Sequence, residues 1–127
     1  MIKDLKILYV EDEADIREIA RFALEDEGFE LLICESGMEA LKKASAYQPD
    51  LILLDVMMPE MDGPTTLIKL RELDGMATVP VIFLTAKVHP NDVSQFIKLG
   101  SLDVIPKPFD PMQLASQIKM IWNSWHD

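Results

Sequence analysis

Asp50-Leu51-Ile52-Leu53-Leu54-Asp55-Val56-Met57-Met58-Pro59 sets a short, wholly apolar run directly against a carboxylic acid. A run of that length reads as a strand buried on both faces, the kind found inside a parallel sheet. An ionised carboxylate straight after such a strand is costly unless something at the end of the sheet uses it. A loop containing Pro59 follows instead of a helix start, so Asp55 is not explained as an acid placed for a helix dipole. Other apolar runs end in the same manner. Leu5-Lys6-Ile7-Leu8-Tyr9-Val10 runs into Glu11-Asp12, and Val81-Ile82-Phe83-Leu84 into Thr85-Ala86. Asp103-Val104-Ile105 passes through Pro106 into Lys107-Pro108. Carboxylates, a hydroxyl and an ammonium therefore gather at strand ends.

Amphipathic stretches separate these runs. Ile16, Ile19, Ala20, Ala23 and Leu24 follow helical spacing, and Gly28 stands where that helix should stop. Glu30-Leu31-Leu32-Ile33-Cys34 reads as a strand. Ser36-Gly37-Met38-Glu39 has capping-box spacing and opens a helix that turns Ala40, Leu41 and Ala44 inward. Asp62-Gly63-Pro64 caps a third helix with Leu67 and Leu70, and His89-Pro90 precedes a fourth with Val93, Phe96 and Ile97, closed by Gly100. Asp110-Pro111 begins the last, with Leu114, Ala115, Ile118, Ile121, Trp122 and Trp125 on one side.

Five strands each followed by a helix imply parallel pairing through right-handed crossovers, with helices on both faces. The strands beginning at Leu5, Leu51 and Val81 are the most apolar and belong in the middle; those at Glu30 and Asp103 suit the edges. The expected fold is α/β, a flavodoxin-like (βα)5 doubly wound parallel sheet of strand order 2-1-3-4-5. Such sheets bind ligands beyond the carboxyl ends of the strands, at the switch point between strands 1 and 3, where Glu11, Asp12 and Asp55 fall.

Composition narrows the function. The 127 residues suit one domain, and the net charge of −10 opposes direct nucleic-acid binding, which demands a basic face. No apolar run approaches the roughly 18 residues of a membrane helix, so no membrane insertion is expected. The start, Met1-Ile2-Lys3-Asp4-Leu5-Lys6, lacks a signal-peptide layout, and the lone Cys34 cannot form an internal disulfide, so a cytoplasmic location is expected. Cys34 reads as a small packed residue. With one cysteine and two histidines, a zinc site is not expected, and no Gly-rich phosphate loop is present.

Clustered carboxylates repel one another: two unit charges about 4 Å apart cost roughly 4 kcal/mol at an effective dielectric near 20. Three together call for a cation, a proton or an ammonium. Oxygen ligands without thiolate or imidazole favour Mg²⁺, which uses one or two protein carboxylates and keeps several waters. Mg²⁺ beside a lysine is also what phosphoryl transfer requires, and a carboxylate can itself be the nucleophile. Glu13 and Asp15 read instead as acids at the positive end of the first helix. Thr85 or Lys107 alone would be ordinary; the joint pattern carries the inference.

On these pieces the chain resembles a response-regulator receiver domain of two-component signalling, of the chemotaxis-regulator type, over essentially its whole length. The matching segments are Ile7 to Glu13, Asp50 to Pro59 with Asp62-Gly63, Val81 to Ala86, and Lys107-Pro108-Phe109. The resemblance implies that Asp55 accepts a phosphoryl group from a phosphohistidine of a histidine kinase or histidine phosphotransfer protein. It implies that Asp12 holds Mg²⁺ directly and Glu11 through water, with Asp55 and the Met57 backbone carbonyl completing the protein ligands. Thr85, followed by Ala86, would bond the acyl phosphate, Lys107 would pair with it, and the Lys107–Pro108 peptide would be cis. Three departures stand out: Val104 where receivers often carry Tyr or Phe, Ser101 for a common alanine, and Glu11 for a frequent aspartate.

The expectation is thus a single receiver domain over 1–127, a phosphorylation-dependent switch that signals to a downstream protein effector, with no output domain visible. The switch element would be Thr85, the loop from Ala86 to Asn91 and the helix after it. Two alternatives belong to other classes. An aspartyl-nucleophile, Mg²⁺-dependent phosphohydrolase would need an acid at the place of Met57, and a non-phosphorylated interaction module would have no use for Asp12, Asp55, Thr85 and Lys107 together.

Overall fold

The structure is a computed structural model that describes residues 5–126. Residues 1–4, part of the Met1 to Lys6 start that lacks a signal-peptide layout, lie outside the described residues. The elements alternate as β1 (Lys6–Val10), α1 (Ala14–Glu25), β2 (Glu30–Cys34), α2 (Gly37–Tyr47), β3 (Leu51–Asp55), α3 (Gly63–Leu70), β4 (Val81–Thr85), α4 (Pro90–Lys98), β5 (Asp103–Pro106) and α5 (Leu114–His126). All neighbouring strands pair in parallel, in the order β2-β1-β3-β4-β5. The polar strands β2 and β5 take the edges, and every residue of β3 and β4 is buried.

Strand alternation builds two cores. Leu8, Val10, Ile52, Leu54 and Phe83 point to one face, where Ala40 and Ala44 of α2, Leu67 and Leu70 of α3 and Phe96 of α4 cover them. Ile7, Tyr9, Leu51, Leu53 and Leu84 point to the other, under Ala20 and Leu24 of α1 and Leu114, Ala115 and Ile118 of α5. Truncating one of these buried leucines to alanine removes about 2–5 kcal/mol. Cys34 is buried and unpaired by disulfide, and burial pushes its thiol up to about 12, in keeping with a packing role.

Local signals account for most helix ends. Ser36 Oγ accepts from Glu39 N at 3.1 Å, and Glu39 reaches back past the cap to accept from Glu35 N at 2.7 Å. Asp62 Oδ1 accepts from Thr65 N at 2.8 Å at the head of α3. Some expectations shift. α1 ends at Glu25 and a turn carries the chain to Gly28, whose φ of 87° suits glycine. α5 begins at Leu114, because Asp110 first holds a turn through Met112 N and Leu114 N. Ile19 and Ile97, expected inward, are 44% and 46% exposed, and Trp125 is 49% exposed. Each helix rests on the sheet along one face only, so the flank of its apolar stripe stays outside.

Candidate functional site

The parallel register brings the acids together. Val10 stands opposite Cys34 on one side and Leu54 on the other, so Glu11 leaves the sheet alongside Asp55. From there the chain leads outward to β2 in one direction and to β4 in the other, which opens a crevice at the carboxyl ends of β1 and β3. Glu11, Asp12 and Asp55 place carboxylate oxygens within 4.8 Å of one another. Glu11 is fully buried, Asp55 is 2% exposed, and Asp12 is half-buried at the mouth.

Lys107 enters from the end of β5. Its backbone N donates to the Thr85 carbonyl, and its Nζ lies 2.9 Å from Glu11 Oε1 and 3.2 Å from Asp55 Oδ1. The Lys107–Pro108 peptide is cis. Glu11 has further partners. The Tyr9 hydroxyl donates to Oε1 at 3.1 Å, Glu13 N donates to Oε2 at 3.2 Å, and Arg17 donates to the Glu11 carbonyl at 2.9 Å.

One ammonium contacts two of the three clustered carboxylates, and both burial and the excess negative charge move the pKa values of the site. Burial, and then the neighbouring Glu11, push Asp55 up to about 7 against the pull of Lys107. Burial disfavours the charge on Lys107, but Glu11 and Asp55 outweigh it and hold its pKa above that of an ordinary lysine. Burial and Glu11 raise the Tyr9 phenol, so it remains a protonated donor. Among the described residues two buried side-chain oxygens have no hydrogen-bond partner, Asp12 Oδ1 and Asp55 Oδ2. Orphaned carboxylate oxygens at a shared crevice are a hard donor set, and they fit Mg²⁺, which takes few protein ligands.

Thr85 ends β4, is 1% exposed, and its Oγ1 accepts from Lys87 N at 3.0 Å. Ala86 is exposed just beyond it, and Met57 turns its side chain to solvent. Glu13 and Asp15 are exposed around the start of α1, outside the acidic cluster. Val104 pairs with Phe83 in register and packs, half-buried, on the cluster that holds Phe83 and Phe96.

Two supports of the site were not singled out from sequence. Tyr9 is one; its place on β1 two residues before Glu11, which follows directly on the strand, is the available signal, since alternate residues of extended chain share a face. Gly63 is the other, which the sequence marks as a helix start and as part of the matching Asp62-Gly63 segment but not as a support of Asp55. A Cβ there would lie 2.5 Å from the Asp55 carbonyl oxygen and 2.9 Å from Val56 Cα, while Gly63 N donates to the Val56 carbonyl at 2.8 Å. Gly63→Ala is therefore expected to cost about 2–3 kcal/mol in a denaturant melt, since backbone must yield. A loss below about 0.5 kcal/mol would show that the α3 start moves aside freely.

The model of the response regulator receiver domain matches residues 7–119. The chain belongs to the receiver domain family. This receiver is 40% identical over 116 residues to the alkaline phosphatase synthesis transcriptional regulatory protein PhoP of Bacillus subtilis, covering 91% of this chain and 48% of that protein. It is 38% identical to an uncharacterized 14.6 kDa protein of Leptolyngbya boryana, covering 93% of this chain and 90% of that one. It thus spans about half the length of the first curated relative and nearly all of the second. Among solved structures, the chemotaxis protein CheY4 of Vibrio cholerae superposes with a TM-score of 0.86 at 29% identity, covering 94% of this chain and 99% of that one.

The receiver's departures from the family pattern have structural counterparts. The extra methylene of Glu11 carries its carboxylate to Tyr9 and Lys107 together. Ser101, 5% exposed, donates from Oγ to the Phe96 carbonyl at 3.0 Å, which ties the end of α4 to the start of β5.

Proposed function

We propose that this receiver is a phosphorylation-dependent signalling switch in which Asp55 takes a phosphoryl group from the phosphohistidine of a histidine kinase or histidine phosphotransfer protein. The observation that carries it is Asp55 itself: a buried carboxylate with one oxygen held by Lys107 and the other without a partner. Asp12 and Asp55 would hold Mg²⁺ through their orphaned oxygens, with the Met57 carbonyl and, more remotely, Glu11. When bound, the ion neutralises negative charge on the moving group. The chain's own residues do the rest. Asp55 attacks phosphorus, the phosphorus–nitrogen bond breaks, and the imidazole keeps the electron pair and takes up a proton. Lys107 balances charge on the transferred oxygens, and Thr85, at the adjacent strand end, donates a hydrogen bond to the acyl phosphate.

The domain acts as a phosphoacceptor rather than a classical enzyme, works in the cytoplasm, and signals by contact with a downstream protein. Net charge of −10 supports a protein effector over direct contact with DNA or an anionic membrane. Residues 1–127 make up one receiver domain. Exposure to a small phosphodonor with Mg²⁺ separates the readings. Stoichiometric, metal-dependent labelling is expected; catalytic turnover would make the chain a phosphohydrolase, and no reaction would make it an interaction module. Labelling that persists undiminished with a chelator would refute the metal's part.

Activation is expected to displace the 86–89 loop and the start of α4 without a swinging ring, because Val104 has none to bury. Amide exchange with and without a phosphoryl mimic checks this: protection should change at 86–91 and stay constant along α1. A parent that binds its partner in a phosphorylation-dependent way only after Val104→Tyr would overturn a ring-independent switch.

A further inference from the structure

Tyr9 is fully buried in the middle of the sheet, yet its hydroxyl is spent on one acceptor, Glu11 Oε1, at 3.1 Å. The same oxygen accepts from Lys107 Nζ at 2.9 Å, and Oε2 accepts from Glu13 N at 3.2 Å. Both oxygens of Glu11 are thereby engaged by the protein. Across the crevice Asp12 Oδ1 and Asp55 Oδ2 are buried and bonded to nothing among the described residues. All three acids are close enough to share one cation, so proximity does not distinguish them; hydrogen bonding does. The longer arm of a glutamate would otherwise let its carboxylate swing in as a third direct ligand.

The geometry points to Tyr9 as a positioning residue that holds Glu11 back from the cation and so sets which divalent ion the receiver prefers. This rests on the reading of the crevice as a divalent-cation site. With Glu11 restrained, the inner protein ligands are two carboxylates, the number that suits Mg²⁺ with its retained waters. With one of the two donors to Oε1 removed, Glu11 is held by Lys107 and Glu13 N alone and its carboxylate is freer to turn to the ion. A third carboxylate favours Ca²⁺, an ion that takes more oxygens at longer and looser distances. Tyr9→Phe keeps the ring in its core position and deletes only the donor. A hydrogen bond to a charged acceptor governs its pose by about tenfold or more, so the change in preference should be of that order.

The test is titration calorimetry of the full chain with Mg²⁺ and with Ca²⁺, for the parent, Tyr9→Phe, Glu11→Asp and the double variant. Tyr9→Phe is expected to tighten Ca²⁺ binding by roughly five- to tenfold and Mg²⁺ binding by less than about twofold. In the Glu11→Asp background the arm is one methylene shorter and the contact with the phenol is expected to be lost, so Tyr9→Phe should leave the preference unchanged. An unchanged preference in Tyr9→Phe alone, or an equal change in both backgrounds, would overturn the role of Tyr9 while leaving the cation site standing. Absence of any divalent binding by the parent would sink both. A Tyr9→Phe chain that does not fold would assign the hydroxyl to the fold and reject the proposal. A crystal structure of the parent with Mn²⁺ needs no variant: Asp12 and Asp55 should touch the ion and Glu11 should remain on Tyr9, and a direct Glu11 ligand would reject it too.

Discussion

Asp55→Asn is expected to cut phosphoryl incorporation by roughly 100-fold or more, because an amide oxygen lacks the charge that makes a carboxylate a nucleophile. Intact-chain mass spectrometry after treatment with a phosphodonor and Mg²⁺ should show one added phosphoryl group on the parent and none on the variant. The substitution is nearly isosteric and sits on a strand end with all of β3 buried behind it, so the fold should survive. Asp12→Asn is the informative control. It leaves the nucleophile intact but removes an acid with an orphaned oxygen, so labelling should slow and demand more metal. Undiminished labelling of Asp55→Asn would place the acceptor elsewhere, and equal loss in every acidic variant tested would mean that the crevice had collapsed.

The metal-free receiver should lose stability as pH rises toward neutrality. In the folded chain burial, and then Glu11, push Asp55 up to about 7 from the 3.8 of an ordinary aspartate. Between those values the folded state binds more protons than the unfolded state, so stability falls as pH rises. The proton's contribution is whole below the lower value and gone above the upper one. Because Lys107 shares the charge, the expected change is on the order of 2 kcal/mol between about pH 5 and pH 7.5. Asp55→Asn removes it, so relative to the parent its thermal midpoint in chelator should gain roughly 5–10 °C at neutral pH. Mg²⁺ should then stabilise the parent, by about 2.7 kcal/mol at a hundredfold excess over its dissociation constant, and Asp12→Ala should lose most of that gain. If Asp55→Asn instead lowers metal-free stability at neutral pH, the carboxylate holds the fold through Lys107, and the cost of burying its charge beside Glu11 does not dominate.

Much of the molecule is legible in the chain alone. Apolar runs at Leu51 and Val81 demand burial on both faces, so those strands are central; Glu30 and Asp103 bring polarity that only an edge tolerates. Strand–helix alternation then leaves few ways to wind the sheet, and the acids after Val10 and Leu54 must meet at its switch point. These are local or topological facts, written in composition and order.

What the sequence by itself does not decide is which groups touch. Lys107 lies 96 residues from Glu11 along the chain, yet its ammonium sits at 2.9 Å, a contact that exists only because β5 pairs with β4 and β4 with β3. That both oxygens of Glu11 accept hydrogen bonds while Asp12 and Asp55 each keep an oxygen without a partner depends on a tyrosine within the core and on an extra methylene. The tight fit of Gly63 on the Asp55 carbonyl depends on how α3 docks. The exposure of Ile19 and Ile97 has the same origin, since periodicity names the apolar face of a helix but not how much of it the sheet covers. Burial and strand order follow from solvation summed over whole segments, which the sequence carries; hydrogen-bond partners turn on displacements of an ångström, which only the packed tertiary structure sets.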